Sequence, residues 1–277
     1  MQPTIASPLA SGALAKTLLL SLTLCLSCMT SAKPPQPQIR AYDYTLIAER
    51  PHHPGLFTQG LLIHQDHFYE SSGLYGRSRL VRYPIASTGS RWAQMTGRFG
   101  KELKLEDRYF AEGLTLFRDR LYLLTWQEES LLVVNPQDFT LEKKLPYQGE
   151  GWGLTHNDEH LIRSDGSHRL FFHSPEDFSL IKILEVKEGQ QPLQRLNELE
   201  MIKGKIWANI WYENRLVEID PESGQVVGSL DLSQLVQSLQ LNNREQVLNG
   251  IAYNPEGDSL WITGKHWPKL FQLKLKP

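Results

Sequence analysis

Cysteine is nearly absent from this sequence: there are two among 277 residues, Cys25 and Cys28. Beyond position 28 the chain has no bridge to form and no thiol to protect. An excess of one charge sign is missing too. Lys and Arg number 29 against 31 Asp and Glu, a formal net charge of −2, so the basic footprint of a nucleic-acid binder is lacking. No apolar run is long enough to span a bilayer comfortably, and helical periodicity is scarce after residue 32. What is present is ordinary globular composition, 40% hydrophobic and 22% charged, which excludes a disordered or collagen-like chain. Seven Trp, ten Tyr and ten Phe supply apolar area for a core.

Residues 1–32 stand apart. They hold no acid and one base, Lys16, followed by an apolar stretch over residues 17–26 and small residues ending at Thr30-Ser31-Ala32. That order is the pattern of a secretory signal peptide. Leu26-Ser27-Cys28 loosely resembles a bacterial lipoprotein box, with Cys25 where Leu is usual, so a lipid anchor at Cys28 is the alternative to simple export. Either route predicts a periplasmic or secreted protein. Pro34, Pro35 and Pro37 make residues 33–41 an extended linker, leaving residues 42–277 as the folded domain.

That domain reads as short strands separated by polar turns. Five segments superpose: Thr58-Gln59-Gly60-Leu61-Leu62, Ala111-Glu112-Gly113-Leu114-Thr115, Gly151-Trp152-Gly153-Leu154-Thr155, Leu196-Asn197-Glu198-Leu199-Glu200 and Leu248-Asn249-Gly250-Ile251-Ala252. Each is followed by a turn and a second strand, as in Leu121-Tyr122-Leu123 or Leu260-Trp261-Ile262. Repeats of roughly 40–54 residues with four strands each match the blades of a propeller. The fold class is therefore all-β, a five-bladed β-propeller of antiparallel blades. The last repeat is short of one strand, and the alternating run Tyr42-Asp43-Tyr44-Thr45-Leu46-Ile47 is expected to supply it, removing two exposed edges. A β-sandwich does not explain five superposable segments.

The first strand of each blade lines the channel, so equivalent positions form rings. One ring holds Gln59, Glu112, Trp152, Asn197 and Asn249; Glu198 stands where the other repeats have Gly. A second ring, after the second strands, holds Gly73, Trp126, Gly166, Trp211 and Lys265, and Phe57 and Phe110 precede the first. One acid, one cation, several amides and unevenly placed aromatics describe a small-molecule pocket. The plain alternative is a water-filled channel whose indoles pack the blades together.

Several of these runs also resemble glutamine cyclotransferase of the plant and bacterial type: Phe57-Thr58-Gln59-Gly60-Leu61, Glu70-Ser71-Ser72-Gly73-Leu74-Tyr75-Gly76, Glu150-Gly151-Trp152-Gly153-Leu154-Thr155, Ile206-Trp207-Ala208-Asn209-Ile210-Trp211 and Thr263-Gly264-Lys265-His266-Trp267-Pro268. The likeness extends in order over residues 42–274. It implies a five-bladed propeller that converts the N-terminal glutamine of peptides or proteins to pyroglutamate and releases ammonia. It also implies Phe57, Gln59, Phe110, Glu112, Trp126, Trp152, Asn197, Trp211 and Lys265 as the pocket residues, of which Glu112 and Lys265 are the catalytic candidates and the others are expected to bind substrate. No cofactor or catalytic metal is implied, and a structural calcium is left open. A monomer is expected.

Ring closure needs a neutral amine, a stabilised oxyanion and a protonated leaving group. A single carboxylate, Glu112, suits the proton transfers, and aromatic burial would raise its pKa usefully. Lys265, or the amides of Gln59 and Asn197, would hold the oxyanion, while the indoles hold the folded-back side chain. A plain Glu112–Lys265 salt bridge is the competing reading. Two other functions compete: a non-enzymatic exported propeller binding peptide or sugar at the channel mouth, and a lactonase-like propeller, which requires an acidic metal cluster. His156 and His160 flank a turn, a poor zinc geometry. Ser71-Ser72 has no assignable His–Asp partner, His52-His53 is expected at the surface, and residues 232–241 are expected to hold a short connecting helix.

Overall fold

Two-residue turns with both central residues at positive φ join strands with the right-handed twist of a hairpin. Three such turns set the local architecture: Gln65-Asp66 (φ 48° and 60°), Arg118-Asp119 (47° and 60°) and Lys203-Gly204 (50° and 78°). Each connects the first and second strands of a blade. The structure, a computed structural model, describes residues 38–85 and 100–276. The expected leader, Cys25 and Cys28 included, and most of the expected linker lie outside the described residues.

The chain enters through β1 (Arg40–Tyr42) and β2 (Tyr44–Pro51). Blade one follows as β3 (Thr58–His64), β4 (His67–Ser72), β5 (Arg79–Pro84) and β6 (Lys101–Lys104). Blade two is β7 (Ala111–Phe117), β8 (Arg120–Thr125), β9 (Ser130–Val134) and β10 (Leu141–Pro146). Blade three is β11 (Leu154–His156), β12 (Leu161–Ser164), β13 (Arg169–His173) and β14 (Leu180–Glu185). A small hairpin, β15 (Lys187–Glu188) with β16 (Gln191–Pro192), leads to blade four: β17 (Leu196–Ile202), β18 (Lys205–Ile210), β19 (Arg215–Ile219) and β20 (Val226–Asp231). The short helix α1 (Ser233–Ser238) connects it to blade five, β21 (Leu248–Asn254), β22 (Ser259–Gly264) and β23 (Lys269–Leu275). Among the described residues no helix is long and apolar enough to cross a membrane.

Five sheets thus stand around one axis, and five apolar clusters fill the seams between neighbours. Leu80, Leu121 and Leu123 sit in the seam of blades one and two, and Leu131, Leu161 and Phe178 in the next. Ile162, Phe172 and Leu199 join blades three and four; Trp207, Ile262 and Phe271 join four and five. Leu61, Phe68 and Trp261 close the circle between five and one. Each seam is an apolar layer removed from water by two sheets, and together these layers supply the main driving force for the fold.

The last blade is completed as the sequence indicates. β2 pairs antiparallel with β23, Tyr44 opposite Leu275 and Pro51 opposite Lys269, so the strand that leads into blade one shares a sheet with the last strand. The strand runs over Tyr44–Pro51 rather than starting at Tyr42, because the preceding segment has its own partner. β1 adds in parallel to the outer edge of β20, with Arg40 opposite Gly228, and the Tyr42 hydroxyl donates to Glu218 at 2.8 Å. Arg40 and Ala41, expected in the linker, are therefore in strand: a free edge offered hydrogen bonds that a solvated tether lacks.

His52 also departs from expectation. It is 1% exposed, lying where β2 ends between blades five and one. Its Nε2 meets both oxygens of Glu70 at 3.1 and 3.2 Å, and its Nδ1 meets the Trp267 carbonyl at 2.7 Å. The hydroxyls of Thr58 and Tyr83 each donate to Glu70 at 2.6 Å. Burial pushes the imidazole pKa down, but the Glu70 charge and these hydrogen bonds outweigh it and the net shift is upward. Burial likewise pushes Glu70 up, yet the His52 charge and three side-chain donors hold it below the usual range. Glu70 thus contributes stability that is lost as pH falls through its lowered pKa, and His52 stability that is lost as pH rises through its raised one. Replacing His52 with Ala leaves a buried carboxylate unpaired, and a loss of about 3–5 kcal/mol is expected near pH 6 by denaturant unfolding. The wild-type decline in stability above neutral pH should be absent from that variant.

Candidate active site

The first strands of four blades begin with an irregularity in register: between Thr58 and Gly60, Ala111 and Leu114, Leu196 and Leu199, and Leu248 and Ile251. Such bulges re-aim a side chain out of the pleat, and the residues they re-aim are Gln59, Glu112, Asn197 and Asn249. In blade three β11 starts later, so Trp152 projects from the preceding loop. At three of these positions the following glycine is imposed by crowding at the axis: a Cβ on Gly60 would lie 2.5 Å from the Leu114 backbone nitrogen, one on Gly113 2.4 Å from that of Leu154, and one on Gly153 2.0 Å from the Asn197 carbonyl oxygen.

A cavity of about 200 Å³ opens at this end of the channel. Its wall brings together the expected catalytic and substrate-binding residues, Glu112 and Lys265 with Phe57, Gln59, Phe110, Trp126, Trp152, Asn197 and Trp211, whereas Asn249 of the first ring and Gly73 and Gly166 of the second do not line it. Leu74 and Glu245 complete it. The aromatics interlock edge to face, Phe57 with Phe110 at 6.1 Å, Phe110 with Trp126 at 5.5 Å and Trp152 with Trp211 at 5.3 Å between centroids.

The polar groups are spaced among them. Glu112 is 5% exposed, and its Oε1 accepts from the Gln59 amide at 2.8 Å. Its backbone carbonyl takes the Ser71 hydroxyl at 2.5 Å, and the Phe57 amide donates to the Ser72 hydroxyl at 2.9 Å. The two serines, set aside as nucleophiles, instead tie the rim of blade one to the wall residues. Lys265 places Nζ 4.5 Å from the Phe57 ring centroid, and it forms no ion pair within 4 Å with Glu112. The amide of Asn249 donates to the Thr58 carbonyl at 2.9 Å and to Gln59 Oε1 at 3.3 Å, so it supports Gln59 from behind the wall. Asn197 Oδ1 is buried with no partner, an acceptor left in the cavity wall.

Burial pushes the Glu112 carboxyl well above the usual carboxylate range; the Lys265 charge pulls it down and the Glu150 and Glu128 charges push it up. Burial lowers Lys265, against the pull of Glu112 and Glu245. A carboxyl inclined to hold its proton and an amine inclined to lose one therefore face the same space.

A family model for glutamine cyclotransferase matches residues 19–275. This chain belongs to the glutamine cyclotransferase family. It is 34% identical over 241 residues to the glutaminyl-peptide cyclotransferase of Arabidopsis thaliana, an alignment covering 86% of this chain and 72% of that protein. Its fold is similar to the crystal structure of Myxococcus xanthus glutaminyl cyclase, with a TM-score of 0.79 and 39% identity over 86% of this chain and 99% of that one. Like these relatives, this member of the glutamine cyclotransferase family is an enzyme, and the non-enzymatic reading is set aside. Among the described residues no group of three or more His, Cys, Asp or Glu is placed to hold a metal ion, so the acidic cluster a lactonase-like propeller requires does not form there. His156 turns its Nδ1 to the Asn157 carbonyl at 3.0 Å.

Two features of this family member escaped the sequence. The glycines of the second ring are occupied spaces, not gaps: a Cβ on Gly73 would lie 2.2 Å from the Phe110 ring, and one on Gly166 would lie 2.6 Å from the Trp152 ring. Each makes room for an aromatic wall residue. Glu198, the break in the Gly pattern, reaches across the axis and accepts from the Ile251 amide at 2.9 Å and the Leu61 amide at 3.4 Å. Substituting Ala at Gly166 (φ +79°) should therefore cost about 1–2 kcal/mol from the left-handed backbone alone, read as a lower denaturant midpoint. It should also push Trp152 off Trp211 and weaken the exciton signal of that indole pair in circular dichroism.

Proposed function

We propose that the cavity binds the N-terminal glutamine of peptides and proteins, and that Glu112 carries the proton that ring closure must move. The observation that carries this reading is the state of Glu112: a buried carboxyl, raised in pKa, held by Gln59 at one oxygen and with Lys265 in the same wall. Its second oxygen is left for proton exchange with the substrate.

The α-amine attacks the γ-carboxamide carbon, forming the ring C–N bond while the carbonyl electron pair moves to oxygen. Glu112 takes a proton from the attacking nitrogen and delivers one to the carboxamide nitrogen. The exocyclic C–N bond then breaks, the carbonyl re-forms and ammonia departs. One carboxyl serves both transfers and ends in the state in which it began. Lys265, at the edge of the apolar cage, holds the developing oxyanion in a medium where charge is poorly screened. The unpartnered Asn197 Oδ1 accepts an N–H of the substrate, leaving that acceptor satisfied only when the site is filled. The interlocked aromatics exclude water and hold the side chain folded toward its own amine, which supplies much of the advantage of an intramolecular reaction.

The chain's own groups suffice for this chemistry, so no cofactor is assigned and ammonia release from a Gln-initiated dipeptide should be unchanged by a chelator. Export through the leader, a monomeric state and a lipid anchor at Cys28 as the alternative to a free product belong to the same proposal. Export is supported by Lys16 with its apolar stretch and by the lack of cysteine beyond Cys28.

Glu112→Gln should lower kcat by roughly 10²–10⁴ with the fold intact; near wild-type turnover would sink the assignment. Lys265→Met removes the charge that pulls Glu112 down. The limb of the kcat/KM profile that reports the free Glu112 should then move to higher pH.

A further inference from the structure

We propose that Glu150 is a positioning residue of this site, whose one carboxylate oxygen fixes two walls of the cage through their indole N–H groups. The inference rests on the cavity being the glutamine site. Trp126 Nε1 donates to Glu150 Oε2 at 2.8 Å, and Trp152 Nε1 donates to the same atom at 2.9 Å. Gln127 Nε2 occupies the other oxygen at 3.0 Å. An indole has a single donor, so each of these rings has its hydrogen-bonding capacity met by the one acceptor. The two rings come from different blades, Trp126 after β8 and Trp152 before β11. Their shared partner therefore sets the angle between walls that no strand pairing connects.

Glu150 is itself held. Arg163, 3% exposed, donates Nη1 to the Glu150 carbonyl and Nη2 to the Gln148 carbonyl at 3.3 Å. Its guanidinium lies between the Tyr147 and Phe171 rings, 4.9 and 4.4 Å from their centroids. The Gly149 amide donates to Glu129 at 2.8 Å and the Gly151 amide to the Trp126 carbonyl at 2.9 Å. A loop pinned at four points presents one oxygen to two donors. Burial pushes the Glu150 carboxyl up, but its donors from Trp152, Gln127 and Trp126 outweigh that and hold it below the usual range, the opposite direction from Glu112.

That charge has a second consequence. The groups acting on Glu112 are Lys265 after β22, Glu128 after β8, and Glu150, and the phenols of Tyr75 and Tyr147 feel Glu112 in turn. Glu150 is one of two acids that favour the protonated form of Glu112.

Two substitutions separate reach from charge. Glu150→Gln keeps the length but loses the charge and turns one acceptor into a donor. KM for a Gln-initiated dipeptide should rise by about tenfold or more, as expected for losing a hydrogen bond to a charged group, with a smaller change in kcat. The Glu112 limb of kcat/KM should move to lower pH. Glu150→Asp keeps the charge and shortens the reach, so KM should rise while the limb stays in place. Independently of turnover, the indole N–H resonances of Trp126 and Trp152 should shift upfield in both variants in ¹H–¹⁵N spectra. Unmoved resonances with KM within twofold of wild type in both variants would overturn the proposal. A wild-type protein that releases no ammonia would instead overturn the glutamine-site reading, leaving the resonances to decide the role of Glu150. If Glu150→Gln does not fold, the Glu150→Asp spectra and KM decide alone.

Discussion

Closing the ring is the constraint on which everything else in this molecule depends. Five sheets packed face to face about an axis leave two open faces unless the last packs against the first, and the pairing of β2 with β23 ties the strand that leads into blade one to that last blade. Without it the seam of Leu61, Phe68 and Trp261 would face water. The closure is reinforced by burying an imidazole and a carboxylate together, His52 and Glu70, at the point where β2 leaves the last blade for the first. A buried pair is a poor source of net stability compared with apolar packing. It is a specific one, because displacing either group from the other leaves a charge in the interior.

The same geometry makes a site. Closure brings five first strands so near the axis that their backbones nearly touch, which is why glycine recurs there and why the side chains beside it have nowhere to go but out of the pleat. Bulges turn Gln59, Glu112 and Asn197 toward the channel mouth, where aromatics from neighbouring blades interlock over them. An acid, a cation and unsatisfied amide groups are thereby placed in an environment that shifts their proton affinities toward each other. Reactivity at this mouth is a by-product of enclosure: the Glu112 carboxyl has a raised proton affinity because its surroundings are dry.

Support for the site is layered outward. Ser71 and Ser72 tie backbone of the wall across to the second strand of blade one. Asn249 braces Gln59, and Glu150 gathers two indoles while Arg163 holds the loop that carries it. Each of these contacts crosses between blades or between a loop and a blade. The cage therefore holds its shape only while the ring is closed, and stability and function draw on the same interactions.

Much of this was legible in order of residues alone. The periodic recurrence of a strand carrying a small residue marks the five-bladed fold, since a side chain larger than glycine does not fit three of the five axial positions. Position within the repeat also determined which residues meet at the mouth, because equivalent positions around an axis must form a ring; Glu112, Trp152, Asn197 and Lys265 were identifiable for that reason. What the order of residues could not carry was contact between rings. That Gly73 and Gly166 are spaces for Phe110 and Trp152, that His52 is buried against Glu70, and that two indole N–H groups converge on one Glu150 oxygen all depend on distances between segments dozens of residues apart. So does the raised pKa of Glu112, which burial causes. Local pattern specifies which side chains approach the axis, and only the closed tertiary structure decides what each of them touches when it arrives.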